Sequence, residues 1–139
     1  MTREEISEKL RLHKRWLNNK EGGEMADLAR TNLRGADLTG ADLTRVDLTR
    51  ADLTRAYMTG ADLTGADLRG ADLTAAKGIH VFGPMPTSGQ MIYAVKHGES
   101  WKVQAGCFFG TLDELEAKVN ASHKCPFYLG IINLLRNTK

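Results

Sequence analysis

The sequence predicts a repeat protein of mainly β class, with a helix ahead of the repeat and a mixed α and β segment behind it. Three observations carry that expectation. From Met25 to Ala76 a leucine returns every fifth residue, at Leu28, Leu33, Leu38, Leu43, Leu48, Leu53, Leu63, Leu68 and Leu73, with Met58 in the one missing place. Two residues ahead of each stands a small residue, Ala in eight of the ten units, and the residue between is Asp in eight, so the repeat is regular in three positions at once. A period of five fits neither the 3.6 of a helix nor the 2.0 of a strand, which excludes ordinary amphipathic elements over this stretch. A chain that turns a corner every five residues instead points one large and one small side chain of each unit inward. Asp, Thr, Arg and Gly are then left to water, and Gly suits the positive φ that corners need.

The unit, as in Ala36-Asp37-Leu38-Thr39-Gly40, resembles the pentapeptide-repeat family, and ten consecutive units match it. The resemblance implies a right-handed quadrilateral β-helix with one unit per side and four per coil. Ten units then make about two and a half coils, roughly 12 Å tall at the spacing of stacked strands. It also implies action without catalysis, by presenting the rod's surface to another macromolecule; some relatives bind DNA gyrase by imitating duplex DNA. The run Leu12-His13-Lys14-Arg15-Trp16-Leu17, followed by Gly22-Gly23-Glu24, is similar to the lead-in of pentapeptide proteins carried by phages and mobile elements.

Residues 1–24 are expected to cap the lower end of the repeat. Thr2-Arg3-Glu4-Glu5 reads as a capping box, and Ile6, Leu10, His13 and Leu17 then fall on one helical face. Repeat stacks need such caps because the first coil otherwise exposes its leucines. His13 on this docking face is read as a hydrogen-bonded packing residue rather than a ligand.

The repeat domain is expected over 25–82, with Lys77 to Phe82 finishing a partial coil, and a further module over 83–139. Gly83-Pro84-Met85-Pro86-Thr87-Ser88-Gly89 is a breaker-rich connection. Met91 to Lys96 and Trp101 to Ala105 read as a hairpin. Thr111-Leu112-Asp113-Glu114 is a second capping box, opening a helix with Leu112, Leu115 and Val119 on one face. The run from Phe127 to Leu135 is apolar nearly all round and predicts a buried final helix. A ββαα module of this kind is expected to close the upper end of the β-helix.

Stacked at 20 residues, the acids form columns: Asp27, Asp47 and Asp67; Asn32, Asp52 and Asp72; Asp37 and Tyr57; Asp42 and Asp62. Like charges so close repel, and arginines are expected to compensate. Arg30, Arg50 and Arg69 share the first side and Arg34 and Arg55 the second, which predicts interleaved ion-pair ladders, weak singly but patterned together. Stacked threonines, such as Thr54 with Thr74, are expected to add hydroxyl contacts. The third side is flat and nearly uncharged, with Tyr57 in place of the usual Asp. Tyr57 is read either as a partner-binding anchor or as a residue covered by the C-terminal segment. The candidate partner-binding residues are therefore Arg30, Arg34, Arg50, Arg55, Arg69, Asp37 and Tyr57.

No apolar run approaches membrane-spanning length, and five glutamates within residues 1–24 are unlike a secretory signal, so a bacterial cytoplasmic protein is expected. Net charge is +2 and unevenly built, +1 over residues 1–24, −2 over 25–76 and +3 over 77–139, but no segment is strongly one-signed. No concentrated basic face is present, which argues against direct nucleic-acid binding. Cys107, His123 and Cys125 form the one constellation able to suggest metal binding or nucleophilic chemistry, but neither spacing is diagnostic, so no cofactor, metal or catalytic residue is expected. The function expected is that of a non-enzymatic phage or mobile-element factor that binds a host protein, such as a defence or nucleic-acid-processing enzyme. Alternatives are a DNA-mimic binder of gyrase, whose long duplex this short, charge-balanced repeat fits poorly, a homodimer built through the Tyr57 side, and a small Cys/His metal or enzyme module.

Overall fold

In a computed structural model the described residues are 1–85, 88–106, 108–122 and 125–138. The chain divides into two compact units, Met1–Gly78 and Ile79–Lys139.

The first unit opens with α1, Arg3–Leu17. Thr2 caps it as the motif predicts: its hydroxyl accepts from the Glu5 amide at 3.2 Å, and the Glu5 carboxylate accepts from the Thr2 amide at 2.7 Å. Gly23 then brings the chain back against the end of the helix. A Cβ there would stand 2.3 Å from the Trp16 backbone nitrogen, so no larger residue fits without moving backbone. The Glu24 amide donates to the Leu12 carbonyl at 3.1 Å and closes the return.

From Asp27 onward the chain is a parallel β-helix. Residues twenty apart pair in parallel in four columns: Asp27–Asp47–Asp67, Asn32–Asp52–Asp72, Asp37–Tyr57–Lys77 and Asp42–Asp62. Backbone bonds of 2.8 to 3.0 Å run between stacked units, as from the Leu33 amide to the Asp52 carbonyl and from the Asp52 amide to the Thr31 carbonyl. Each unit also closes on itself, the residue three after the leucine donating to the leucine carbonyl, as Ala36 does to Leu33 at 2.9 Å. The third residue of each such turn has positive φ, as a type II turn demands. The leucines from Leu28 to Leu53, and Met58, are at most 1% exposed, and they fill the core with Val46 and the alanines from Ala51 to Ala66. Burying each leucine side chain contributes about 2 kcal/mol.

The second unit departs from the ββαα expectation in having four strands. β1 (Ile79–Phe82), β2 (Ile92–His97), β3 (Ser100–Ala105) and β4 (Phe108–Thr111) form an antiparallel sheet in sequential order. Ile79–Phe82, assigned from the sequence to the end of the coil, pairs instead with β2, Ile79 opposite Val95 and Phe82 opposite Ile92. The leucine period has already ended there, and the β-branched and aromatic residues Ile79, Val81 and Phe82 suit a strand. β2 and β3 form the expected hairpin around a two-residue turn, Gly98-Glu99, with Gly98 at φ 58°.

α2, Leu112–Ala121, starts from the second capping box, with the Thr111 hydroxyl accepting from Glu114. Leu112, Leu115 and Val119 are buried as their spacing predicts. α3, Pro126–Asn137, is amphipathic rather than buried all round. Ile131, Ile132 and Leu135 join α2 and the sheet residues Ile92, Val103 and Trp101 in one core, while Leu134 is 57% exposed.

Candidate partner-binding surface

The surface of the β-helix is set by the Asp and by the corner residue of each unit. The Asp carboxylates are structural. In every unit that has Asp or Asn at this position, its side-chain oxygen accepts the amide two residues on, from Ala29 on Asp27 at 2.9 Å to Thr74 on Asp72 at 2.9 Å. This is an Asx turn, the side chain taking the place of a backbone carbonyl. The hydrogen bonds hold Asp37, Asp52 and Asp72 below the usual carboxylate range, chiefly through the hydroxyls of Thr39, Thr54 and Thr74 and then their amides. The Thr54 hydroxyl also helps to hold Asp72, one coil on, below its ordinary value.

The ten corners are held by five glycines, four arginines and one alanine, Ala75 at φ 56°. Gly35, Gly40, Gly60, Gly65 and Gly70 have φ between 65° and 74°; Arg30, Arg45, Arg50 and Arg55 occupy equivalent corners at 56° to 62°. A left-handed backbone costs a residue with a Cβ on the order of 1 kcal/mol, which glycine does not incur. Four arginines therefore stand where the backbone favours glycine. The Arg50 stem lies over the next corner of its column, so that a Cβ on Gly70 would meet Arg50 Cγ at 3.3 Å.

The expected ion-pair ladders do not form. Of the repeat arginines, Arg69 alone makes a direct ion pair among the described residues, and it does so within its own unit, Nε donating to Asp67 Oδ1 at 2.9 Å. That contact holds the Asp67 carboxyl below its ordinary value. The Asx turns orient the groups: one oxygen of each carboxylate accepts its own unit's amide and so points along its own corner, as at Asp67, whose ion pair is with the arginine of that same corner. Among the described residues the guanidinium groups of Arg30, Arg34, Arg50 and Arg55 make no hydrogen bond or ion pair, although Arg34 acts at longer range on Asp52 and Asp72. All four are exposed.

The candidate residues thus fall into two groups. Arg30, Arg34, Arg50 and Arg55 border one column, that of Asn32, Asp52 and Asp72. Asp37, Tyr57 and Arg69 are engaged elsewhere. Asp37 lies 3.9 Å from Arg3 of α1. Tyr57 is 44% exposed, with Lys77 Nζ 4.8 Å from its ring centroid. Lys77 continues this column, so the side read as nearly uncharged carries an acid at one end and a base at the other.

Asn32 is not among the residues singled out from the sequence. It keeps the Asx bond, accepting from the Arg34 amide at 3.1 Å, but removes one negative charge between Arg30 and Arg34. Its signal in the sequence was its being the one Asn in the Asp position.

His13 is structural, as expected. It is fully buried, stacked on Trp16 at 5.6 Å, and joins α1 to the first and fourth units of the repeat: the Ala26 amide donates to Nδ1 at 3.1 Å, and Nε2 lies 2.8 Å from the Thr44 carbonyl. Because Nδ1 must accept, the proton sits on Nε2 and the ring is the neutral Nε2–H tautomer. Cys107 and His123 lie outside the described residues. Among the described residues no group of three or more His, Cys, Asp or Glu is placed to hold a metal ion, and no helix is long and apolar enough to cross a membrane.

The coil defined by these twenty-residue columns makes this chain a β-helix protein with an attached α and β unit. The family model for pentapeptide repeats matches residues 26–65 and 41–77, eight copies in all, so the β-helix stretch of this chain is built of pentapeptide repeats. No curated protein matches it. Pentapeptide repeats are in general protein-interaction modules.

Proposed function

We propose that this protein acts by binding another protein through the arginine-bordered surface of its β-helix, without catalysis. The observation that carries the reading is the set of exposed arginines, Arg30, Arg34, Arg50 and Arg55, three of them kept at corners that favour glycine and none satisfied by the described chain. Local strain that no internal contact offsets is best accounted for by a contact outside the chain. We read the coil as right-handed and four-sided, with about two and a half turns; the four bridge columns, five residues apart, support that course. The partner class we favour is a host protein met by a phage or mobile-element factor, such as a defence or nucleic-acid-processing enzyme, in the bacterial cytoplasm.

The test is affinity capture from a bacterial lysate with the wild-type chain, with Arg30→Glu/Arg50→Glu/Arg55→Glu, and with Tyr57→Ala. A stoichiometric protein partner lost with the arginine variant supports the reading. Capture of nothing at stoichiometric level overturns it. DNA mimicry ranks lower, because the Asp columns are tied into turns and interrupted by arginines; strong inhibition of gyrase supercoiling at equimolar protein would reverse that order.

A further inference from the structure

We propose that the strip of β-helix bordered by Arg30 and Arg50 on one edge and by Arg34 and Arg55 on the other is a docking face for an acidic protein segment. This rests on the protein-binding reading above and names the face and the chemistry of its partner.

Four features of the strip converge. Its two lower levels carry four guanidinium groups against a single carboxylate, Asp52, with Asp72 one level higher. Those guanidiniums have no hydrogen-bond or ion-pair partner among the described residues, and they are exposed. Arg30, Arg50 and Arg55 hold φ of 56° to 61° at corners where five other units place glycine, so the side chain rather than the turn accounts for the residue there. Asn32 then supplies the turn's acceptor with no charge, at the point midway between Arg30 and Arg34 where an Asp would cancel them.

The scaffold suits recognition of carboxylates. Stacked levels repeat at about 4.8 Å, and the Asx and backbone bonds of each corner fix where each arginine stem leaves the coil. A guanidinium so anchored loses less freedom on forming a bidentate pair with a carboxylate. A protein segment fits better than a nucleic acid. Asp52 and Asp72 remain within the strip, and a continuous row of phosphates would be repelled by both, whereas a peptide can set a neutral or basic residue against them.

The probes are a fluorescein-labelled 16-residue peptide of alternating Glu and Ala, and a labelled single-stranded DNA of equal total charge. Binding of each to the full chain is followed by fluorescence anisotropy at low and physiological salt. The expected result is saturable peptide binding, tighter than that of DNA, weakened at least about tenfold in Arg30→Gln/Arg34→Gln/Arg50→Gln/Arg55→Gln and changed less than about twofold in Arg45→Gln/Arg69→Gln. Thermal melting of both variants near the wild-type temperature keeps the comparison one of binding.

Absent peptide binding, equal loss in the two variants, or tighter binding to DNA would each overturn the proposal. The protein-binding reading is separable. A partner captured from lysate that survives the quadruple variant sinks the acidic-segment docking face and leaves that reading standing; absence of any captured partner sinks the reading itself.

Discussion

The buried ring of His13 accepts the Ala26 amide on Nδ1 at 3.1 Å, and through this bond the first residue of the repeat core is tied to helix α1. Nε2 completes the link to the Thr44 carbonyl, in a unit three further along the coil. Replacing His13 by Ala leaves an amide and a carbonyl without partners in a dry site, with a cavity beside Trp16. The expected loss is about 2–4 kcal/mol. Urea unfolding followed by Trp16 fluorescence in a Trp101→Phe background measures it; a loss below about 0.5 kcal/mol would show that the cap does not depend on this bond.

Gly23 is expected to tolerate no side chain. A Cβ would fall 2.3 Å from Trp16 N and 2.6 Å from Arg15 C, both backbone atoms that cannot rotate away. Gly23→Ala should cost at least about 2 kcal/mol, because α1 must shift off the first coil to admit the methyl. By contrast, Gly35→Ala meets nothing within 4 Å and should lose only about 1 kcal/mol, from its left-handed backbone.

At Asp52 the turn bond and the charge can be separated. Asp52→Asn retains an acceptor for the Thr54 amide, as Asn32 does for Arg34, whereas Asp52→Ala removes it. Thermal melting should rank wild type and Asn together and Ala lower by several degrees, the size expected for one lost Asx bond of about 1 kcal/mol.

Acid should destabilise the β-helix unit in a defined direction. Asp37, Asp52 and Asp72 are held below their ordinary values, chiefly by the hydroxyls of Thr39, Thr54 and Thr74. The unfolded chain takes up these protons near pH 3.9, the folded chain only at lower pH. Between the two the unfolded state binds more protons, so stability is fully present above the unfolded value and is lost as pH falls through the folded ones. Denaturant midpoints at pH 7, 5, 4 and 3 should be level across the first two and fall across the last two; a midpoint unchanged at pH 3 would contradict the carboxylate role.

The corner arginines should be dispensable for folding. Arg30→Gly/Arg50→Gly/Arg55→Gly removes three left-handed residues with side chains and adds backbone entropy to the unfolded chain, two effects of similar size and opposite sign. Stability is expected within about 1 kcal/mol of wild type by urea unfolding. A collapse of the fold would mean that the arginines hold the coil together after all.

Much of this was legible in the sequence because a five-residue period leaves few physical alternatives. The buried positions Leu28 to Leu68 follow from periodicity, the two capping boxes from their Thr and Glu spacing, and the packing role of His13 from its place on the α1 face. Two kinds of information were out of reach. The Asp of each unit looks like surface charge in a sequence, yet it is a turn residue, and the difference depends on where its oxygen points relative to an amide two residues on. β1 and β4 were missed because each has only four residues and acquires its identity from pairing with β2 and β3.

The sequence by itself determined which positions turn inward, one leucine and one small residue in every five, since a period of five fits neither helix nor strand; that they stack at twenty-residue intervals was implied by the family resemblance and is seen in the bridge columns. Tertiary structure alone decided what the arginines do. An arginine beside a stack of aspartates can be neutralised by them or left facing outward; the Asx turns hold the carboxylates along their own corners, and Arg30, Arg34, Arg50 and Arg55 are left exposed.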